Sequence, residues 1–280
     1  MPNWITNIVT FSGDEKIIAK LKEQVKGEQS EFDFNKIAPI PKELEGTQSP
    51  TKIVTQEEYD KQEERITKGE LTKEEKDWGL SRGLTQELVN EYKEKFGFAD
   101  WYGWQSHNWG TKWNACDVID MGEGFEFRTA WATPYNIFLK LSEMYPEIEI
   151  HVRYSDEDFG YNVGEYTLLD EEEIETYQPD GGSEEALELA MEIQYGTPSD
   201  YFECNEEMFG EYIDDDEEEL GEYELTMIDI AYKHGVYPYE GCEYHKLVLE
   251  RFKELAMADE NYELVAVIQK ELDKVKSEDE

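Results

Sequence analysis

The sequence predicts an α+β fold: an antiparallel sheet with helices on one face, followed by an acidic, mainly helical region. The first half alternates short β-branched segments with amphipathic ones, as strands and helices of a two-layer domain do. The second half carries mostly helix signals. Hydrophobic residues make up 39% of the 280 residues and aromatic residues 13%. This share is ample for a packed core.

The chain is predicted to begin with a strand, a helix and a second strand. Residues 4–11 are rich in β-branched side chains and predict the first strand. A helix follows, because its apolar residues lie at helical spacing: Ile17, Ile18, Leu21 and Val25. In the segment 31–41, Phe32 and Phe34 alternate with polar residues, which predicts a strand that the prolines of that segment end.

A polar segment at about 45–98 then separates this opening from the next strands. Its pattern predicts short helices around 56–66, 71–79 and 84–95, the last ending at Gly97. Because the segment is polar and charged, we interpret it as a helical insertion rather than as core.

The next elements complete the first domain, which we expect to span residues 1–170. A hairpin is predicted through Gly122–Gly124, and Pro134 is a favourable first residue for a helix. The predicted strands of this part are 116–121, 125–131, 148–154 and 161–168. This alternation is typical of a ferredoxin-like α+β sandwich, in which two helices cover one sheet face.

Four sequence blocks carry a resemblance to a known family. They are MPNW with VTFSG at the start, FDFNKIAPIPKEL, NWGTKWNA at 108–115 and FRTAWATP at 127–134. In this order they resemble the YubB-like (Api-ninety-two-like) family of phage and plasmid proteins, over about residues 1–168. The resemblance implies a ferredoxin-like domain and a mobile-element setting, but no activity. It departs from the family's compact glycine-rich end, since here EEEIE at 171–175 follows.

Negative charge is concentrated in the second half. Residues 1–150 hold 28 acidic and 18 basic residues, whereas residues 151–280 hold 40 acidic and 8 basic residues. Between Arg153 and Lys233 there are 28 Asp or Glu in 79 residues and no Lys or Arg. This distribution indicates a dedicated acidic surface and argues against a direct nucleic-acid binder, because binding phosphates requires cations.

We expect the acidic surface to bind a basic host protein. A groove that evolved to bind DNA or RNA responds mainly to charge density, so the surface could imitate nucleic acid and serve an anti-defence role. The alternative is a merely solvated face. The predicted partner-binding residues are Glu171, Glu172, Glu173, Glu206, Glu207, Asp214, Asp215, Asp216, Glu217, Glu218 and Glu219.

The acidic region, residues 171–280, is predicted to be folded because it contains many aromatic residues, which disordered acidic tails lack. We expect these aromatic residues to be buried and the carboxylates to lie outside: Tyr177, Tyr195, Tyr201, Phe202, Phe209, Tyr212 and Tyr223. Ser183 begins a capped helix to Ile193, and residues 225–232 form another. The region ends in a predicted helical hairpin at 244–274, for which assembly with another protein is a third possibility.

An aromatic segment at 101–113 supports an alternative function. It could bind a small molecule or nucleotide, because tryptophans with an interposed histidine and lysine suit stacking and hydrogen bonding. The residues predicted for this role are Trp104, His107, Asn108, Trp109, Lys112 and Trp113. They could equally organise the core.

No catalytic, cofactor or metal motif is predicted. The four histidines show no HExxH spacing, and the three cysteines are far apart. No apolar run approaches the length of a membrane span, and MPNWITNIVTF lacks the basic region of a signal peptide. We therefore expect a cytoplasmic binding protein rather than an enzyme.

Overall fold

The computed structural model describes residues 2–73, 76, 79–210, 219–239 and 241–278. The chain divides into two compact units. The sheet unit comprises residues 1–157 and 165–177, and the helical unit comprises 158–164 and 178–280. The predicted boundary at residue 170 falls inside a hairpin of the sheet unit.

A six-stranded antiparallel sheet has the strand order β2-β3-β1-β4-β5-β6. Its strands are β1 (Trp4–Ser12), β2 (Cys116–Asp120), β3 (Gly124–Ala130), β4 (Glu149–Asp156), β5 (Gly164–Leu169) and β6 (Glu172–Tyr177). The first four strands have the ferredoxin-like arrangement, because β1 is central and pairs antiparallel with both β3 and β4. Strands β5 and β6 extend this sheet beyond β4. The predicted fold class is therefore confirmed.

Helices lie on one face of this sheet. In the sheet unit they are α1 (Glu15–Val25), α2 (Gln56–Thr67), α3 (Gln86–Phe96), α4 (Trp101–Asn108) and α5 (Tyr135–Met144). Residues of β1 alternate between buried and partly exposed, as expected of a strand covered on one side. Its buried residues Ile5, Val9 and Phe11 share one core with Leu21 of α1 and Phe138 of α5. The β-branched residues of this segment thus predicted the strand correctly.

The strand predicted at 31–41 is wrong. The segment contains one turn of 3-10 helix, Phe34–Lys36, whose start is capped by the Asp33 side chain. Phe32 and Phe34 are both fully buried, and Phe32 stacks on Phe125 with 5.2 Å between ring centroids. The alternating phenylalanines therefore reflect a loop that inserts two rings into the core. The strands that flank β1 come from much later in the sequence.

The segment predicted as an insertion contributes to the same core. Helices α2 and α3 confirm two of its predicted helices, and Gly97 ends α3 with a positive φ of 82°. Four of the nine residues of the helix predicted at 71–79 lie outside the described ones. Leu84, Val89 and Tyr92 are buried with the sheet residues, so the prediction that this segment is peripheral was incorrect there.

The helical unit contains the elements α6 (Glu184–Tyr195), α7 (Pro198–Cys204), α8 (Glu222–Lys233), α9 (Lys246–Ala258) and α10 (Tyr262–Glu278). The Ser183 side chain caps α6, as predicted. Helices α9 and α10 confirm the predicted hairpin, and they share a core with Met191 of α6 and Ile228 of α8. The aromatic residues divide: Tyr201, Phe202 and Phe209 are buried, whereas Tyr177, Tyr195 and Tyr223 are exposed, contrary to expectation. Tyr212 lies outside the described residues.

Candidate interaction surface

The tightest turn of the sheet unit presents carboxylates. Strands β5 and β6 are joined by two residues, Asp170 and Glu171, with φ of 49° and 63°. Two-residue hairpin loops of this kind favour Asn-Gly or Asp-Gly, because both positions need positive φ. Glu171 thus occupies a position where glycine would be relaxed, at a cost of about 1–2 kcal/mol.

A buried serine holds this turn in place. The backbone N–H of Glu171 donates a hydrogen bond to Ser142 Oγ at 3.0 Å. Ser142 is fully buried on α5. Since α5 is packed in the core, its hydroxyl fixes the turn to a rigid element.

Strand β6 is exposed along its whole length. It is an edge strand of the sheet, and each of its six residues is exposed. Its larger apolar side chains, Ile174 and Tyr177, are 46% and 45% exposed. The pairing shifts between Glu173 and Glu175, so Ile174 is the extra residue of a β-bulge.

Five exposed carboxylates lie on this hairpin, and we call them the acidic hairpin: Asp170, Glu171, Glu172, Glu173 and Glu175. Among the residues that the structure describes, none of the five has a Lys, Arg or His within 4.0 Å. By contrast, Glu165 on the adjacent strand lies 3.3 Å from Arg153 and 3.7 Å from His151. The acidic hairpin is therefore negative without local compensation.

One member of the acidic hairpin contacts a tyrosine. Glu173 lies near Tyr135, the first residue of α5. Burial, followed by the charge of this carboxylate, raises the pKa of Tyr135. The Tyr135 hydroxyl therefore stays protonated and can donate to Glu173.

The remaining predicted partner-binding residues belong to the helical unit. Glu207 follows α7 and Glu219 precedes α8, and both are exposed. Glu206 lies in a 3-10 turn, and its side chain is outside the described part. Asp214, Asp215, Asp216, Glu217 and Glu218 also lie outside the described residues. The predicted set is thus divided between two units.

Carboxylates of the helical unit include several with cationic partners. Lys233 Nζ lies 2.8 Å from Glu184 and 3.0 Å from Glu188, and His234 Nε2 lies 2.6 Å from Glu188. Burial opposes ionisation of Glu188, but the hydrogen bonds from His234 and Lys233 outweigh it and lower the pKa of this carboxyl. High acidity in the sequence therefore does not by itself identify free carboxylates.

The aromatic segment 101–113 is partly core. Trp104 and Trp109 are 8% and 1% exposed, and Trp109 Nε1 donates to the Ala38 carbonyl at 2.8 Å. Asn108 Nδ2 donates to the Trp104 carbonyl, while the His107 side chain is exposed and lies against Phe98. These contacts join α4 to the segment that precedes it and to the loop that contains Ala38.

Lys112 and Trp113 belong instead to a row of alternating cations and rings. Lys112 Nζ lies 4.3 Å from the Trp113 ring centroid and 4.7 Å from that of Trp131. Trp113 packs on Trp4, over which the Arg128 guanidinium lies at 5.7 Å. Trp131 is 45% exposed, with φ of 70°. We call this row the cation–aromatic row.

Within the described part of the chain, no group of three His, Cys, Asp or Glu is placed to hold a metal ion. The three cysteines are free thiols. None of the described helices is long and apolar enough to cross a lipid bilayer.

Three features of the surface were missed from the sequence: strand β6, the buried Ser142 and the exposed Trp131. The available signal for β6 was the pair Asp170–Glu171 between the apolar end of β5 and a segment containing Ile, Thr and Tyr. Glutamate is depleted in strands, so the run of acids hid this hairpin signal.

The strand order and the helices define a ferredoxin-like α+β protein with a helical C-terminal region. Residues 108–196 match the family model described as "Ferredoxin-like domain in Api92-like protein". This finding confirms the predicted resemblance, although the match extends past residue 168 and leaves the first two sequence blocks outside it.

A solved structure is also similar, that of a protein api92 from Yersinia pseudotuberculosis. The identity is 12%, the similarity covers 65% of this chain and 100% of that chain, and the TM-score is 0.34. No curated protein matches this chain.

Proposed function

We propose that the protein binds a basic partner protein through the acidic hairpin. The observation that carries this proposal is the set of five exposed carboxylates that have no cationic neighbour among the described residues. Uncompensated surface charge attracts a partner of opposite sign and speeds its association.

The spacing of the carboxylates supports a partner that normally binds nucleic acid. A strand rises about 3.3 Å per residue, so the three glutamates in residues 172–175 of β6, counted over both faces of the strand, give roughly one charge per 4 Å. One strand of B-DNA carries one phosphate per about 3.4 Å of helix axis. A groove lined with Lys and Arg for a phosphate backbone would meet a similar charge density on this hairpin.

The backbone of Glu171 supports the same proposal. A carboxylate is kept at a position where glycine would remove the strain of a positive φ. Departures from local preference tend to be found at functional sites. The resemblance to phage and plasmid proteins favours a host nucleic-acid-binding protein as the partner, with inhibition of a defence protein as the role.

The proposal is tested by capturing host proteins on the purified protein at about 50 mM salt and eluting towards about 500 mM. The test variant replaces Glu171, Glu172, Glu173 and Glu175 by Gln. A matched control replaces four other exposed carboxylates by Gln: Glu45, Glu87, Glu91 and Glu94. Basic proteins should bind wild type and control and be released by salt, and the hairpin variant should capture none of them. Equal capture by the hairpin variant would overturn the proposal.

A second candidate function rests on the cation–aromatic row. Trp131 is an exposed ring in a strained backbone conformation, next to a lysine, and such a surface could stack on a nucleotide base. Titration with nucleotides should then quench tryptophan fluorescence in wild type and not in Lys112→Ala. An unchanged spectrum of wild type would remove this candidate.

A further inference from the structure

Strand β6 has an unpaired edge. It is bonded to β5 on one side, and no other strand of the described residues pairs with it. One row of its N–H and C=O groups therefore points away from the sheet. All six residues of β6 are exposed, and no other described strand of the sheet unit pairs with its outer edge.

The opposite edge of the sheet is less accessible to a new strand. Strand β2 has five residues, and its pairing with β3 is interrupted between Cys116 and Ile119. Asp117 within it has a positive φ and is ion-paired with Arg128. Bulges, lysines and prolines protect an edge strand. Strand β6 has one bulge, at Ile174, but it contains no lysine, no proline and no residue with positive φ.

The charge of β6 decides what can pair with it. Pairing two copies of β6 would bring together three glutamates from each strand, Glu172, Glu173 and Glu175, with no described cation near them. Like charges facing each other across strands are destabilising, whereas opposite charges stabilise the pair. The charge on β6 therefore disfavours pairing with β6 of a second copy and favours pairing with a strand that carries lysine or arginine.

We infer that β6 accepts an extended basic segment of the partner as a seventh strand of the sheet. This inference rests on the proposed function and adds the mode of binding. Backbone hydrogen bonds along the free edge hold the segment, and its Lys or Arg side chains meet the glutamates. The exposed Ile174 and Tyr177 supply apolar contacts for the residues between them.

The test uses an eight-residue peptide that alternates lysine with valine, and two versions N-methylated at either the odd or the even positions. N-methylation removes N–H donors and leaves every charge in place. Only one alternate set of N–H groups faces β6, so one version should bind like the parent. The other version should bind roughly tenfold more weakly or worse, since it loses several hydrogen bonds.

Affinities are measured by calorimetry, and amide hydrogen exchange with the parent peptide should become slower in β6 and not in β2. If both N-methylated peptides bind as well as the parent, the contact is electrostatic only and strand addition is overturned, while the proposed function stands. If the parent peptide does not bind, or protects β2 instead, the inference is likewise overturned. Failure of the proposed function is seen separately, in capture that does not depend on the hairpin carboxylates.

Discussion

The acidic hairpin and the aromatic segment 101–113 belong to the same sheet unit, and they differ in whether their side chains already have partners within the protein. In the aromatic segment, Trp104 and Trp109 are buried, and the indole N–H of Trp109 already has a partner. In the acidic hairpin, five carboxylates are exposed and lack cationic partners among the described residues. In the sequence, both segments contain side chains that are suited to binding. In the structure, the buried tryptophans of the aromatic segment stabilise the fold, whereas the exposed carboxylates of the acidic hairpin remain available for a partner.

The largest effect is expected from Trp109→Ala, which should break the folded state rather than a ligand site. Removing this ring leaves a cavity beside Phe34 and Trp104 and should lower the free energy of unfolding by about 3–5 kcal/mol. Urea denaturation measures it. His107→Ala is the matched control, with a change within about 0.5 kcal/mol because its side chain is exposed. Equal effects of the two would mean that the segment is not organised around the buried tryptophan.

A smaller effect is expected in the cation–aromatic row. Lys112→Ala loses the contacts of the ammonium with Trp113 and Trp131 and should destabilise the fold by about 1 kcal/mol. Lys112→Arg keeps a cation between the rings and should stay within about 0.5 kcal/mol of wild type. Denaturation followed by tryptophan fluorescence compares the two. A loss in the arginine variant as large as in the alanine variant would contradict the cation–π explanation.

Glu171→Gly should stabilise the protein, in contrast to both previous changes. Glycine relaxes the positive φ but also gains freedom in the unfolded chain, so the expected net gain is about 0.5–1 kcal/mol. The same change one residue later, Glu172→Gly, falls within β6 and should cost about 0.5–1 kcal/mol. Thermal unfolding of the pair should show midpoints that move in opposite directions. Midpoints that fall together would show that the turn is not strained at Glu171.

The smallest effect on stability is expected from Glu175→Gln, within about 0.5 kcal/mol, because no described cation depends on this carboxylate. Glu188→Gln in the helical unit is the contrasting variant. The folded-state pKa of Glu188 is lowered, so its contribution to stability is present above the ordinary pKa near 4.5 and is lost as pH falls through the folded value. Unfolding measured from pH 7 down to pH 3 should therefore lose part of its acid dependence in Glu188→Gln relative to wild type.

The sequence predicted elements whose pattern is local. Strand β1 is rich in β-branched residues, Ser183 begins a capped helix, and Gly97 ends one, so each signal lies within a few residues of its element. The segment 31–41 shows the limit, because Phe32 and Phe34 are buried by rings distant in the sequence and not by strand pairing. The two phenylalanines do alternate with polar residues, but the alternation results from tertiary packing and not from a β-strand.

The sequence predicted the negative charge of the candidate surface but not the strand and turn that present it. The run Glu171–Glu173 was identified as acidic, but its strand was hidden, since glutamate is uncommon in strands. The exposure of the hairpin depends on its position at the sheet edge, and the fixing of its turn depends on Ser142, almost thirty residues earlier. Which carboxylates have cationic neighbours is likewise a matter of tertiary structure, as Glu188 with Lys233 and His234 shows.

The central position of β1 also determines when the sheet can assemble during translation. Its two neighbours are β3, where Ile8 pairs with Glu126, and β4, where Ile5 pairs with Asp156. In a nascent chain, the first strand, with the apolar Val9 and Phe11, therefore stays unpaired until more than a hundred further residues have left the ribosome. Pairing over such separations is slow, so chaperones that shield apolar segments should matter more for this protein than for a helical bundle of equal length.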